Sequence, residues 1–234
     1  MLAALALVAG SLPQTAALAE GPACRIPPQL PSARFEPAPP GARRTLPVAG
    51  YLLALSWSPE YCAGRGDRPR DRLQCSGSAG RFGFILHGLW PEGEGRAWPQ
   101  YCAAAQPLPP VLLRRHFCAT PSVDLLQHQW AKHGVCMTRD PARYLAAGER
   151  LFRLVRYPDM AGFADRRSTV AQFTRAIARA NPGIPESAIR VQRSPRGWLQ
   201  EVRICLNRGF RPRACPAHVT GAGTGETLRV RRLR

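Results

Sequence analysis

Eight cysteines in a chain of 234 residues constrain its fold more than any other feature. An even number of cysteines fits an exported chain that oxidises them into cross-links, because reducing compartments keep thiols free. About 105 pairings are formally open. Local spacing favours Cys62 with Cys75 and Cys205 with Cys215. No Cys-x-x-Cys pair and no Cys/His cluster with zinc spacing occurs, so the cysteines are read as staples and no metal or other cofactor is expected.

Export is also the reading of the N-terminus. Residues 1–19 resemble a cleavable signal peptide, with an apolar core from Leu2 to Gly10 and a small-x-small cleavage site at Ala17-Leu18-Ala19, though no basic residue precedes the core. The apolar run is too short to span a bilayer and no other segment could, so no membrane partner is expected and the product is secreted or periplasmic. Residues 20–47 carry Pro27-Pro28, Pro31, Pro37, Pro39-Pro40 and Pro47 and no hydrophobic period, which predicts an extended, poorly ordered lead-in. A single domain is expected over residues 48–220, followed by a loose basic tail over 221–234. Apolar residues make up 45% of the chain, ample for one core, and nothing in the pattern asks for more than a monomer. The formal net charge of +18 points to a polyanionic partner.

Within the domain, Tyr51–Trp57 is a short apolar run halted by Ser58-Pro59 and reads as a buried strand. Arg81–Pro91 reads as a second strand, with Gly88 and Pro91 ending it and His87 at its end. Residues 92–110 form a long loop suited to one rim of a cleft. Helices are predicted over Val123–His133, over Pro141–Val155 with Asp140 as N-cap, and from Ser168 or Thr169 to Asn181. Late strands are predicted at Ala188–Gln192 and Trp198–Leu206.

Only one of the 33 basic residues is a lysine, and it lies in His128-Gln129-Trp130-Ala131-Lys132-His133. Where arginine is otherwise used throughout, a surviving lysine marks a place that requires a compact ammonium. At about 100° per residue, His128, Lys132, Gln129 and His133 fall within one arc of about 140°, with Trp130 and Ala131 outside it. The histidines are spaced i, i+5 with glutamine beside the first, unlike a zinc-protease helix. No Gly-x-Ser-x-Gly elbow accompanies them. Imidazoles and an ammonium on one wall suit phosphoryl transfer, with one ring taking a proton, another giving one, and fixed cations holding the phosphoryl charge.

The segments Tyr51-Leu-Leu-Ala-Leu-Ser-Trp-Ser-Pro-Glu-Tyr-Cys62, His87-Gly-Leu-Trp-Pro91 and His128–Cys136 resemble, in order, the signature segments of the ribonuclease T2 family. That resemblance covers roughly residues 48–216. It implies an α+β fold with an antiparallel sheet flanked by helices, and cleavage of single-stranded RNA through a 2′,3′-cyclic phosphate with little base specificity. It further implies His133 as general base, His87 as general acid, and His128 and Lys132 on the phosphate. A Cys102–Cys136 bridge is also implied, leaving Cys24 and Cys118 without an assigned pairing. Trp57, Tyr61 and Trp90 are the candidates for contact with bases, although Trp90 and Trp130 also read as props for neighbouring histidines. His116 is expected at the surface and His218 in the tail. The chain departs from the family pattern at Gln129, where a glutamate is usual. The alternative reading is therefore a catalytically weakened RNA-binding protein that retains the fold.

Overall fold

The computed structural model describes residues 24–233, so the predicted leader lies outside the described residues. In chain order the elements are β1 (Gly50–Trp57), α1 (Ser58–Tyr61), α2 (Arg72–Cys75), β2 (Phe84–Glu92), α3 (Pro110–His116), α4 (Val123–Lys132) and α5 (Pro141–Leu154). There follow α6 (Met160–Asp165), β3 (Ser168–Thr169), α7 (Val170–Ala180), β4 (Ile189–Arg193), β5 (Leu199–Leu206) and β6 (Thr227–Leu228). Four strands form one antiparallel sheet in the order β2-β1-β5-β4, and β3 pairs with β6 in a second, two-stranded sheet. This is an α+β fold. Among the described residues, no helix is long and apolar enough to cross a membrane.

The near-continuous apolar run of β1 follows from its central place, since both faces of the strand are covered. Leu53, Leu55, Val202, Ile204 and Val191 face the main core, which α5 and α7 close with Leu145, Leu151, Phe173 and Ile177. The other face carries Leu52, Ala54 and Ser56 opposite Cys205, Arg203 and Glu201 of β5. Helix starts are set by local chemistry. Ser122 caps α4 by accepting from Leu125 N–H, Asp140 caps α5 ahead of Pro141, and Thr169 with Gln172 forms a capping box on α7.

Four disulfides join Cys24–Cys118, Cys62–Cys75, Cys102–Cys136 and Cys205–Cys215, and no described cysteine is free. The Cys24–Cys118 bridge changes the expectation for the proline-rich lead-in. Residues 24–47 are extended, as their composition demands, but they are docked along the domain. Arg25 N–H donates to Ala79 O, and Arg44 and Gln100 exchange backbone hydrogen bonds. The tail also departs from expectation. Leu228 and Val230 are 0% and 3% exposed, so their burial pins residues 227–230, and Leu199 and Arg229 hydrogen-bond through the backbone. His116, expected at the surface, is 4% exposed, and its Nδ1–H donates to Glu149 at 2.5 Å.

Candidate active site

His87 does not lie at a strand end. β2 runs through to Glu92, and the pairing with β1 shifts between Ala54↔Gly88 and Leu55↔Leu86, which leaves His87 as the extra residue of a β-bulge. A bulge breaks the strict alternation of side chains and re-aims one of them. Here it lets Leu86 and Leu89 both stay in the core while His87 lines a cleft on the far side of the sheet.

That cleft has a volume of about 340 Å³ and is bounded by His87, Trp90, His128, Gln129, Lys132 and His133. The two motifs of the sequence thus meet in one place. Arg96 and Trp98 supply a rim from the 92–110 loop, and His218, expected in the tail, supplies another part of the wall beside Glu92. A second cavity of about 410 Å³ shares His87 and His128 and adds Tyr61, Asp71 and Glu36.

Trp90 is the hub. The His87 ring meets its indole edge-on at 5.0 Å between centroids, and the His133 ring stacks on it at 5.5 Å. Trp90 Nε1–H donates to Gln129 Oε1 at 2.7 Å, which ties the strand to α4. Gly88 makes that approach possible, since a Cβ there would lie 2.0 Å from Gln129 Oε1. Gln129 itself is 4% exposed. On α4 the predicted polar arc holds, but the regular helix ends at Lys132, and His133 caps it before a 3₁₀ turn over Gly134–Cys136. The Cys102–Cys136 bridge fastens this turn to the loop that forms the cleft's rim.

The two motif histidines occupy different electrostatic surroundings. His133 is 5% exposed with a buried, unpartnered Nδ1. Burial, then the charges of Lys132, His128 and His87, push its pKa down to about 2, so its neutral form is favoured. His87 faces a carboxylate, with Nδ1–H donating to Glu201 Oε2 at 2.5 Å. Burial alone would raise the Glu201 carboxyl, but the hydrogen bond and charge of His87, with Arg203, bring it down to about 2. His128 Nδ1–H donates to Glu36 Oε1 at 2.7 Å, a residue of the lead-in. Glu92 moves the other way, with burial outweighing Arg203 and Arg213 to raise it to about 7.

Three carboxylates of the site, Glu36, Glu92 and Glu201, escape sequence reasoning because none belongs to a motif. Among the base-contact candidates, Trp57 is 3% exposed and its Nε1–H donates to Arg231 O. It is a core residue and presents no face for stacking, because on β1 it points to the same side as Leu53 and Leu55. Tyr61 borders the second cavity and donates its hydroxyl to Asp71 at 2.7 Å. Trp90 lines the main cleft, where its ring already meets three side chains: His133 stacked on it, His87 edge-on, and the Arg203 guanidinium 5.1 Å from its centroid. Among the described residues, no group of three or more His, Cys, Asp or Glu side chains is arranged to hold a metal ion.

Residues 49–215 match the model of the Ribonuclease T2 family. A protein named "Ribonuclease" from Aeromonas hydrophila is 36% identical over 166 residues, covering 68% of this chain and 71% of that protein. A "Probable ribonuclease" from Haemophilus influenzae is 30% identical over 186 residues, covering 75% of this chain, and the chain spans 64% of that relative's length. In three dimensions the chain is similar to trichomaglin, described as an S-like ribonuclease, with a TM-score of 0.63 and 18% identity over 80% of this chain and 100% of the other. RNase NT, solved with 5′-AMP, has a TM-score of 0.60 and 20% identity over 79% and 98% of the two chains. The four-stranded sheet, the bulged histidine strand and the histidine helix it faces are thus carried by a chain that belongs to the Ribonuclease T2 family.

Proposed function

We propose that this protein is an exported endoribonuclease that cleaves single-stranded RNA by transphosphorylation, with low base specificity and without a metal. Its family and the relatives named ribonuclease indicate an endoribonuclease, and the charge of +18 suits a polyanionic substrate. The observation that carries the mechanism is the pairing of two imidazoles on one indole, one buried and favoured neutral, the other hydrogen-bonded to an ionised carboxylate. Two titratable groups in contrasting environments are the usual arrangement for dividing acid from base.

In the first step neutral His133 accepts the proton of the 2′-hydroxyl, whose oxygen attacks the adjacent phosphorus. The P–O5′ bond breaks, and His87, protonated, gives its Nε2 proton to the leaving 5′-oxygen. The 2′,3′-cyclic phosphate that results is opened when His87 takes a proton from water, the water oxygen attacks phosphorus, the P–O2′ bond breaks, and His133 gives the proton it holds to the departing 2′-oxygen. Lys132 and His128 hold the phosphate charge that builds between them. RNA provides its own nucleophile, so no metal-bound water is needed for the first step.

Incubation of poly(U) with the protein in excess EDTA is expected to give products ending in cyclic phosphate. His87→Ala and His133→Ala are each expected to lower the rate at least about a hundredfold. Loss of cleavage on EDTA with recovery on adding a divalent metal would overturn the mechanism, and tight binding without turnover would favour the RNA-binding alternative.

A further inference from the structure

We propose that Glu201 is the positioning residue of His87: a buried carboxylate on β5 that accepts from Nδ1–H, holds the ring in one tautomer and turns Nε2 to the cleft. This inference rests on the endoribonuclease reading above, since it concerns the group given the role of general acid there.

The argument begins with the backbone. As the extra residue of a bulge, His87 has no cross-strand partner on β1 to fix its direction. An imidazole in that position rotates about two side-chain torsions unless something else holds it. What holds it comes from two strands away from its own edge. Ser56 of β1 pairs with Glu201 of β5, which sets the Ser56 hydroxyl and the carboxylate side by side on the cleft face. Glu201 Oε2 lies 2.5 Å from His87 Nδ1 and accepts from Ser56 Oγ at 3.1 Å, and Ser56 Oγ is itself 3.3 Å from Nδ1. Arg203 Nε–H donates to the other oxygen, Oε1, at 2.7 Å.

A carboxylate 6% exposed is costly unless both oxygens are satisfied, and here both are. If the carboxylate served only to pair with Arg203, its second oxygen would have no reason to reach an imidazole. An ionised carboxylate can only accept, so the proton on the shared contact belongs to Nδ1. Nε2 is then the nitrogen left to exchange a proton with substrate. Imidazoles that work as proton carriers are commonly held in this way through their second nitrogen.

The other charged groups near His87 do not compete for this role. Arg203 is spent on Glu201 and on the face of Trp90, at 5.1 Å from the ring centroid. Asp71 accepts from Tyr61, and Glu36 accepts from His128. His128 and His133, on the opposite wall, carry only positive or neutral forms. Glu201 is therefore the one negative group hydrogen-bonded to the His87 ring among the described residues.

The test compares the wild-type protein with Glu201→Gln, which keeps shape and removes the charge. On poly(U), kcat is expected to fall at least about tenfold with KM changed less than about threefold, since tautomer control acts on proton transfer rather than binding. Removing a negative charge beside an imidazolium makes it give up its proton at lower pH, so the alkaline limb of the pH–rate profile is expected to move to lower pH. The acid limb, which reports His133, stays in place. Independently of turnover, long-range ¹H–¹⁵N correlation of ring-labelled histidine in the wild-type protein is expected to show His87 with a protonated Nδ1 and a downfield proton resonance, absent in Glu201→Gln. A wild-type His87 without a proton on Nδ1, or a Glu201→Gln profile with both limbs unmoved, overturns the proposal. If the wild-type protein cleaves no RNA, the endoribonuclease reading fails, and the ring resonance alone then sustains or sinks the pairing.

Discussion

At the scale of single residues, much turns on the amide oxygen of Gln129. Its oxygen accepts from the Trp90 indole, and Trp90 in turn carries both imidazoles, so Gln129 acts as a clamp at the centre of the site. A glutamate could accept the same N–H and would add a negative charge beside Lys132 and His133. His133 is held low by burial first and by the positive charges around it second, and a carboxylate would offset the second cause. Gln129→Glu is therefore expected to move the acid limb of the pH–rate profile upward and to raise the rate severalfold near neutral pH. An acid limb that stays put would mean that position 129 acts only through Trp90. The histidines, Lys132 and Gln129 were legible in the sequence because they sit within two short motifs. Glu201 and Glu36 were not, since they lie 114 and 92 residues away from their histidines and no local pattern marks them.

Among the elements, the lead-in and the tail were the hardest to read. Proline-rich composition points to an extended, poorly ordered lead-in at residues 24–47, but composition carries no information on docking. The Cys24–Cys118 bridge, spanning 94 residues, decides that. It holds one end of a strap whose middle brings Glu36 to His128 and to the Tyr101 hydroxyl. A Cys24→Ala/Cys118→Ala variant is expected to become cleavable by trypsin at Arg34 or Arg43 while the remaining domain resists. KM for RNA is expected to rise a few-fold as Glu36 ceases to orient His128, measured by limited proteolysis and steady-state kinetics. Unchanged proteolysis would show that the strap is docked by its other contacts alone. The four strands of the main sheet lie within three residues of the bounds the sequence implies, but β3, β6 and the bulge at His87 carry no such signal. One residue of excess in an antiparallel pair is visible only once both strands are in register.

For the whole molecule, three titratable groups of the site, His133 and Glu201 buried and Glu92 partly buried, set how stability varies with pH. His133 titrates near 6.5 when unfolded and is held at about 2 when folded, so its contribution is lost as pH falls below 6.5. Glu201, at about 2 against 4.5, contributes above 4.5 and loses that contribution as pH falls toward 2. Glu92, raised from 4.5 to about 7, has the opposite sign, and its contribution is present below 4.5 and lost as pH rises through 7. His133 and Glu92 therefore oppose one another between about pH 4.5 and 6.5, and below that only losses remain. Tm is expected to vary little across that window and to fall steeply below about 4.5. Glu92→Gln is expected to raise Tm at pH 8 and to let Tm decline from about 6.5 downward. Thermal denaturation across pH checks both, and an unchanged profile in Glu92→Gln would show that its carboxyl does not titrate on unfolding.

The sequence by itself determined the family, the main strands and helices, and the motif residues that line the cleft. Each of these is written in short-range signals: apolar runs, capping residues and motifs a few residues long. Only the tertiary structure decided which carboxylates stand behind the histidines, that Trp57 is core, and that both ends of the described chain pack on the domain. Those outcomes depend on strand register and on contacts between residues far apart in the chain. The +18 chain thus places Glu201 and Glu36 against its imidazoles through folding alone, by pairing β5 with β1 and by tying the lead-in across to Cys118.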